Sequence, residues 1–545
     1  MEELDIPLLN AAASDYVRND EKISGFFDYS LDDSRLFAKR IDELGKREFQ
    51  REQLADHLLD FNRSLSCGPQ TIANIEKLQK PDAVAVVAGQ QAGLLTGPLF
   101  TIHKTISIIQ LARQIEKEHG VPAVPVFWVA GEDHDLEEVN HVYVMEHTGN
   151  TAEAKKRTYP YDKQQNAKIP VSDRTLDKGN LKKWVDSIVS SYGETVHTRE
   201  LLARLEQAYE YSGSYVTFFS KLMLELFSED GLVLLDSNHP ELRQIEKPFF
   251  KMLIEKNADL RKAVKERSEM LTDRGYSDLL GTAVNSSHLF YHLEGERILL
   301  EPKGKTFFCG KQNECLYDMD ELVREADRHP EKLSNNVVSR PLMQEFLLPV
   351  AAFVGGPGEI AYWAGLKDAF HLFGYNMPPV IPRLSLTIID RNIERHLDEL
   401  DLPVAEVVRA GTGKFKDEWL EHQRQLHLED DITHIKDEMD AVHNRLRTLA
   451  EKVDPTLKDA ALKNGKFVQG LLGELEKKME RAIERKYAIR LLKYEHSGLA
   501  LYPNGAPQER IWTVLYYLNR YGFDLPGRLA DRDYEWNGRH KLLFI

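Results

Sequence analysis

The sequence predicts an α/β protein built on a Rossmann-like parallel sheet, with insertions and a C-terminal antiparallel helical coiled coil. Three observations carry this. Continuous apolar runs, AVAVVAG at 83–89 and VPAVPVFWVAG ending at Gly131, flank an amphipathic stretch from about Thr101 to His119. Parallel strands covered by helices on both faces read this way. The runs GLVLLDS (Gly231–Ser237) and FLLPVAAFVGG resume the pattern later. Finally, Ile432, Ile435, Met439, Val442, Leu446, Leu449 and Val453 alternate spacings of three and four, the seam of a coiled coil.

Taken in order, residues 1–144 are expected to form the first half of the core with N-terminal helices, because 31–80 repeats Leu, Phe and Ile at helical spacing. Residues 145–215 are polar and Lys-rich and predict a helical insertion. The core continues over 216–284, with charged helical sequence to about Asp273. At 285–330, HLFYHL, ERILLEP and TFFCG predict a small antiparallel insertion. The second half of the core spans 331–389, with a helix expected from about Glu359 to Phe373. Residues 390–495 form the arm: Asp454-Pro455-Thr456 interrupts the first seam, and Val468, Leu472, Leu475, Met479 and Ala482 make a second. Two seams joined by a Pro turn predict a projecting antiparallel hairpin, which either dimerises, the favoured reading, or packs against the core. The aromatic-rich RIWTVLYYLNRYG lies in 496–545, a segment expected to dock at the arm base.

A chain of 545 residues calls for two to four domains at roughly 100–200 residues each. The net charge of −16 argues against nucleic acid as a partner, since phosphate neutralisation supplies most of that affinity. Cys67, Cys309 and Cys315 are odd in number and scattered, which points to a reducing cytoplasm rather than a disulfide framework. The N-terminus is acidic where a signal peptide is basic, and no apolar run approaches the ~20 residues of a membrane span. The expected chain is cytoplasmic, with no membrane or nucleic-acid partner and no metal set evident.

Ligands of doubly wound sheets sit at the carboxyl ends of the strands, and four such ends carry unusual sequence. After Ala83–Val87 comes GQQAGLLTGPLFTIHK, in which Gly89, Gly93 and Gly97 permit tight turns against a nucleotide. The helix that follows offers an amide-rich start to phosphate, reinforced by His103 and Lys104, with Gln90, Gln91 and Thr96 as neutral donors. After the strand VPVFWV, WVAGEDHDLEE offers Trp128 to a substrate and places Glu132, Asp133, His134 and Asp135 in sequence. Four titratable groups there need a substrate ammonium, a metal or arginines to offset repulsion, and Asp133 or Asp135 also suits a helix cap. Third, FVGGPGEIAYW brings Gly356 and Gly358 to a turn before Glu359, with Tyr362 and Trp363 placed to face an adenine or a sugar. Fourth, PPVIPRLSLT puts Arg383 and Ser385 where phosphates can be clamped, and NNVVSRPLMQEF adds Arg340 and Gln344.

These strings carry a resemblance. TGPLFTIHK resembles the Pro-Leu-His-Ile-Gly-His segment of class I aminoacyl-tRNA synthetases and related cysteine ligases, with His103 on its second histidine, Phe100 replacing the first and Ile102 replacing the glycine. PRLSLT stands where those enzymes carry Lys-Met-Ser-Lys-Ser, with only Arg383 and Ser385 matching. A closer resemblance covers nearly the whole chain. AGQQAGLLTGPLFTIHK, FWVAGEDHDLEEVN, NNVVSRPLMQEFLLPVAAFVGGPGEIAYW and RIWTVLYYLNRYG are similar to the cysteine-adding ligases of bacillithiol biosynthesis. The resemblance implies a Rossmann core with connecting-peptide insertions and a dimerising coiled-coil arm. It implies joining of cysteine to glucosaminyl-malate, with ATP as the activating nucleotide. His103, Lys104, Asp133 and His134 would then be catalytic, and Arg340 or Arg383 would hold the malate carboxylates. Two other readings suit the same residues: a non-catalytic nucleotide-binding scaffold and a glycosyltransferase-like enzyme.

Overall fold

The computed structural model describes residues 1–8, 10–148, 151–160, 168–210, 212–277, 280–281, 286–304, 307–424 and 430–545. Parts of the insertion expected at 145–215 therefore lie outside the described residues. The chain forms two compact units. One comprises Met1–Val144, Lys155–Leu386 and Glu509–Leu542; the other comprises Met145–Ala154, Thr387–Gln508 and Leu543–Ile545.

The first unit holds a five-stranded sheet ordered Val380–Pro382, Val350–Gly355, Val84–Gln90, Ala123–Val129, Val233–Asp236. Every neighbouring pair is parallel. The strands are short, apolar and buried on both faces, as their sequence predicts. Ala85, Val87, Val124, Val126 and Trp128 share a cluster with Leu54, Leu58 and Ile75 of the helices Arg51–Ser64 and Pro69–Leu78. On the opposite face, Phe127 meets Phe219 of helix Tyr215–Leu226, with ring centroids 6.0 Å apart. Val84–Gln90, first of the five in the chain, is central. Its successors are laid down first to one side and then to the other, so the order reverses between Val84–Gln90 and Val350–Gly355. Such a switch point leaves a crevice at the carboxyl ends of the strands.

The antiparallel insertion has five strands rather than three. Leu316–Asp318 and Leu333–Asn335 join Leu289–Leu293, Glu296–Lys303 and Phe307–Gly310. The 145–215 segment is not wholly helical: His141–Thr148 pairs with Thr151–Thr158, and alternation of buried Val142 and Val144 favours a strand there. The helix expected from Glu359 to Phe373 is two, Pro357–Trp363 and Lys367–Leu372. Between them Gly365 packs so tightly that a Cβ would lie 2.8 Å from the Leu280 side chain.

Residues 496–545 divide. Gln508 and the residues before it lie in the second unit, while Glu509–Leu542 belongs to the core unit. Leu99 N donates to Trp512 O at 2.8 Å, and Thr513 Oγ1 donates to Leu95 O at 3.1 Å. Gln110, on helix Phe100–His119, donates to Ala530 O at 2.9 Å.

The second unit is helical, and its longest helices, Asp430–Val453 and Lys458–Lys486, form an antiparallel pair around a turn at Pro455–Leu457. Asp454 caps that turn by accepting from Thr456 N at 2.8 Å. The hairpin forms, but most of its first apolar seam is not buried in it. Buried His443 closes the pair, meeting Asn464 Oδ1 at 3.1 Å, along with Lys436 on Glu476 at 2.6 Å. A Cβ at Gly465 would lie 2.9 Å from the His443 ring, so glycine is what lets the helices approach. Ile435, Met439, Val442, Leu446, Leu449 and Val453 remain on the outside, with Val442 and Leu446 58% and 51% exposed. Among the described residues, no helix is long and apolar enough to cross a membrane.

Candidate active site

A cleft of about 760 Å³ opens at the switch point of the core sheet. One wall is the end of strand Val84–Gln90 and the first turns of helix Phe100–His119. Residues 100 and 104 share a helical face, so Phe100 and Lys104 line the cleft. The Lys104 ammonium donates to Gly89 O at 2.8 Å and Gln90 Oε1 at 3.0 Å, and lies 2.5 Å from Glu359 Oε2. Burial lowers its pKa, and Glu359 works against that shift. Glu359 Oε2 also accepts from Gly356 N at 2.8 Å, capping its own helix.

Across the cleft stands the acidic turn after Ala123–Val129. Glu132 is buried, accepting from Arg243 Nη2 at 2.6 Å and Asn335 N at 3.1 Å. Arg243 also binds Glu246 at 2.6 Å, a carboxyl that burial pushes up to about 7. Asp133 accepts from Gln91 Nε2 at 2.6 Å and His134 N at 2.7 Å. Burial raises its pKa, but Arg297, Gln91 and the His134 amide outweigh that and hold it below the ordinary value. His134 is kept neutral first by burial and then by Arg297, which lower its pKa. Arg297 Nη1 lies 3.2 Å from His134 Nδ1. Arginine has only donors, so Nδ1 accepts and the ring proton resides on Nε2. The guanidinium of Arg297 is positioned by Ser334 Oγ at 3.1 Å and Asn335 O at 2.5 Å, and lies 3.7 Å above the Phe290 ring. Glu138 lines the same side, its pKa raised by burial and by Asp135.

At the floor, Arg340 donates to the Tyr362 hydroxyl, whose pKa is pushed up to about 12 by burial. Burial works against the Arg340 charge, but Tyr362, Glu359, Glu132 and Asp133 outweigh that and raise its pKa. Gly89 must be small there, since a Cβ would come 3.1 Å from the Arg340 guanidinium.

Behind the wall, Glu509 gathers several predicted site residues. Arg383 holds it bidentately at 2.6 and 2.7 Å, His103 Nδ1 lies at 2.9 Å and Ser385 Oγ at 3.3 Å. His540 meets Ser385 at 2.9 Å. Burial works to raise the Glu509 pKa, but Arg383 and His103 drive it well below the carboxylate range. Burial lowers the pKa of His103.

Family models match both parts of the chain. Residues 1–384 match the N-terminal Rossmann-like domain of bacillithiol biosynthesis BshC, and residues 386–545 match its C-terminal coiled-coil domain. The chain belongs to the bacillithiol biosynthesis BshC family. A BshC relative from Geobacillus sp. (strain WCH70), named "Putative cysteine ligase BshC", is 42% identical over 544 residues, covering 100% of this chain and 99% of the relative. BshC relatives with the same name from Bacillus cytotoxicus and Bacillus cereus (strain Q1) are each 39% identical, with the same coverage.

In this BshC-family cleft the structure brings together Gly89, Gln90, Gln91 and Lys104 with Glu132, Asp133 and His134. Arg340, Gly356, Gly358, Glu359, Tyr362 and Arg383 complete the predicted set that lines it. Other expected residues lie elsewhere. His103 is turned about 100° from Lys104 on the helix, away from the cleft and toward Glu509. Thr96, Gly93 and Gly97 are folded behind the wall: Leu95, Thr96 and Gly97 all have positive φ, and a Cβ on Gly93 would lie 2.9 Å from Gly97 Cα. These glycines serve the turn and do not line the cleft. Trp128 is core, and Trp363 stacks on Phe353 with centroids 4.2 Å apart. Gln344 is buried off the cleft, and Asp135 is the exposed N-cap of Leu136–Val139, without a side-chain cap bond. Ser385 faces Glu509 and His540, off the cleft, while Arg383 lines the cleft and is paired with Glu509. Arg297 and Glu138 also line the cleft, without a local motif that marks them. The signal for Arg297 was a charged residue heading the apolar ERILLEP strand.

Proposed function

We propose that this chain is a ligase that joins the cysteine carboxyl group to the amine of glucosaminyl-malate, the last step of bacillithiol synthesis. The supporting observation is the juxtaposition of Arg340, a buried cation bonded to the Tyr362 hydroxyl, with Asp133 held ionised and His134 held neutral in one cleft. Arg340 suits a malate carboxylate, and Asp133 the ammonium of cysteine. The His134 Nε2–H suits an oxygen gaining charge as the amine attacks. Glu138, with its raised pKa, is the base that takes the amine proton. The new bond is carboxyl carbon to amine nitrogen, and the activating group leaves. Amide formation from a free carboxylate is uphill, so activation is required. ATP is the proposed co-substrate, supplying a leaving group on that carboxyl. Lys104 and Arg383 are the cations on the wall it would face.

Incubation of the purified chain with cysteine, glucosaminyl-malate and ATP tests the reading by mass spectrometry. Bacillithiol with AMP is expected. Bacillithiol with ADP would keep the ligase and replace an adenylate by an acyl phosphate. Failure to form bacillithiol with any nucleoside triphosphate would sink the reading in favour of a nucleotide-binding scaffold. The proposal extends to a homodimer formed along the exposed Ile435–Val453 stripe of the arm. It also extends to a cytoplasmic location, where a thiol product and free Cys67, Cys309 and Cys315 stay reduced.

A further inference from the structure

At the outer edge of the core sheet, strand Val233–Asp236 is followed by helix Pro240–Glu255. His239 is the N-cap of that helix, in extended conformation, and Glu241 lies in its first turn. Helix Arg51–Ser64 packs alongside. Its position is fixed by Asn62, whose amide donates to Leu234 O at 2.8 Å and accepts from Leu234 N at 3.1 Å. This places His57, one and a half turns earlier, against His239 with ring centroids 4.8 Å apart.

His57 is 5% exposed, yet both of its ring nitrogens are buried without a hydrogen-bond partner, and so is His239 Nδ1. Buried polar atoms are rarely left unpaired, and each such case calls for an explanation. Glu241 Oε2 lies 3.5 Å from His57 Nδ1. Among the described residues, His57, His239 and Glu241 offer one ligand atom each, all within 4.8 Å of one another. None of the three lines the cleft.

We propose that His57, His239 and Glu241 bind a borderline divalent cation of the zinc type, at a site separate from the cleft. Two imidazoles and a carboxylate select such a metal over magnesium or calcium, which prefer all-oxygen sets. Tetrahedral zinc ligands at about 2.0–2.1 Å from the metal lie roughly 3.4 Å apart, which His57 and Glu241 already match. The Glu241 side chain is 67% exposed and can rotate inward. The Phe61 and His57 rings lie nearly parallel, with centroids 6.4 Å apart. The bound ion would clip helix Arg51–Ser64 to the turn after the edge strand, leaving a fourth coordination position for water.

The test uses the full chain without a polyhistidine tag, stripped by a chelator. Zn²⁺ is titrated against a chromophoric competitor, and thermal unfolding is followed with and without Zn²⁺. One Zn²⁺ per chain and a raised unfolding temperature are expected. Glu241→Gln, at an exposed position, should fold normally and weaken binding about tenfold or more. The double variant His57→Phe with His239→Ala, which keeps a ring beside Phe61, should lose the site. Absence of stoichiometric Zn²⁺ in the parent chain overturns the proposal. So does undiminished binding by Glu241→Gln and the double variant together, which would place the metal on the cysteines or elsewhere. If the double variant fails to fold, the result with Glu241→Gln alone decides.

Discussion

Lys104 and Glu359 form an ion pair of 2.5 Å across the switch point, tying the helix that follows the central strand to the helix that follows its neighbour. The same ammonium satisfies Gly89 O, so one side chain sets the width of the cleft at its base. Lys104→Met is expected to leave Glu359 without its cation, with a loss of about 2 kcal/mol. Bacillithiol formation should fall about 100-fold. Denaturant unfolding and rate measurements on the same preparation check both effects, and a normal rate would remove Lys104 from the chemistry.

Arg340 is expected to act in binding more than in turnover. Arg340→Lys keeps the charge but loses the fork geometry. KM for glucosaminyl-malate should rise about 10–100-fold, corresponding to roughly 1.5–3 kcal/mol for a charged hydrogen bond. The kcat should change little, and KM for cysteine should stay fixed.

Asp133→Asn should raise KM for cysteine, because the ammonium partner is lost. Glu138→Gln should instead lower kcat by about 10²–10⁴ with substrate binding retained, as expected for loss of a base. Steady-state kinetics with each substrate varied in turn separates the two. Equal effects on both constants would contradict the division of roles.

His288 is buried, and burial pushes its pKa down to about 3. The unfolded chain, with an ordinary value near 6.5, therefore binds a proton that the folded chain refuses between those limits. The stability contributed by the neutral ring is complete above pH 6.5 and is lost as pH falls toward 3. Unfolding free energy should drop by about 1.4 kcal/mol per pH unit from this residue alone. His288 has φ 60, which Asn tolerates. His288→Asn should flatten the slope by that amount in denaturant titrations between about pH 5.5 and 4.

The exposed arm stripe yields a fifth expectation. Leu446→Glu should convert a dimer to a monomer in light scattering while leaving the helical signal intact. A parent chain that is already monomeric would remove the dimer from the proposal.

Much of the fold is legible because its signals are local. AVAVVAG and VPVFWV read as strands through their own composition, and the 3–4 spacing of Ile435 to Val453 reads as a helix. That spacing does not say which neighbour the stripe meets, and here the hairpin closes on His443 instead. Lys104, Asp133, Arg340 and Glu359 were readable because strand ends converge in a parallel sheet. His103 was misplaced because adjacent helical positions point about 100° apart, and a motif match carries no rotation. Arg297 and Glu509 escaped notice for another reason. Each reaches its partners from far along the chain, 163 residues from His134 and 126 from Arg383, and no local pattern encodes that meeting.

The Glu509 contacts also constrain the order of assembly. Arg383 and His103 are made early, but their common carboxylate arrives only after the whole arm, 387–508, has been synthesised. A nascent or truncated chain ending near residue 384 would hold a guanidinium and an imidazole facing an unfilled position in its interior. Such a fragment should be captured by chaperones or aggregate, even though it contains every strand of the core sheet. The arm thus interrupts the chain of the core unit, and cutting the gene at the arm's start would not release an autonomous catalytic half.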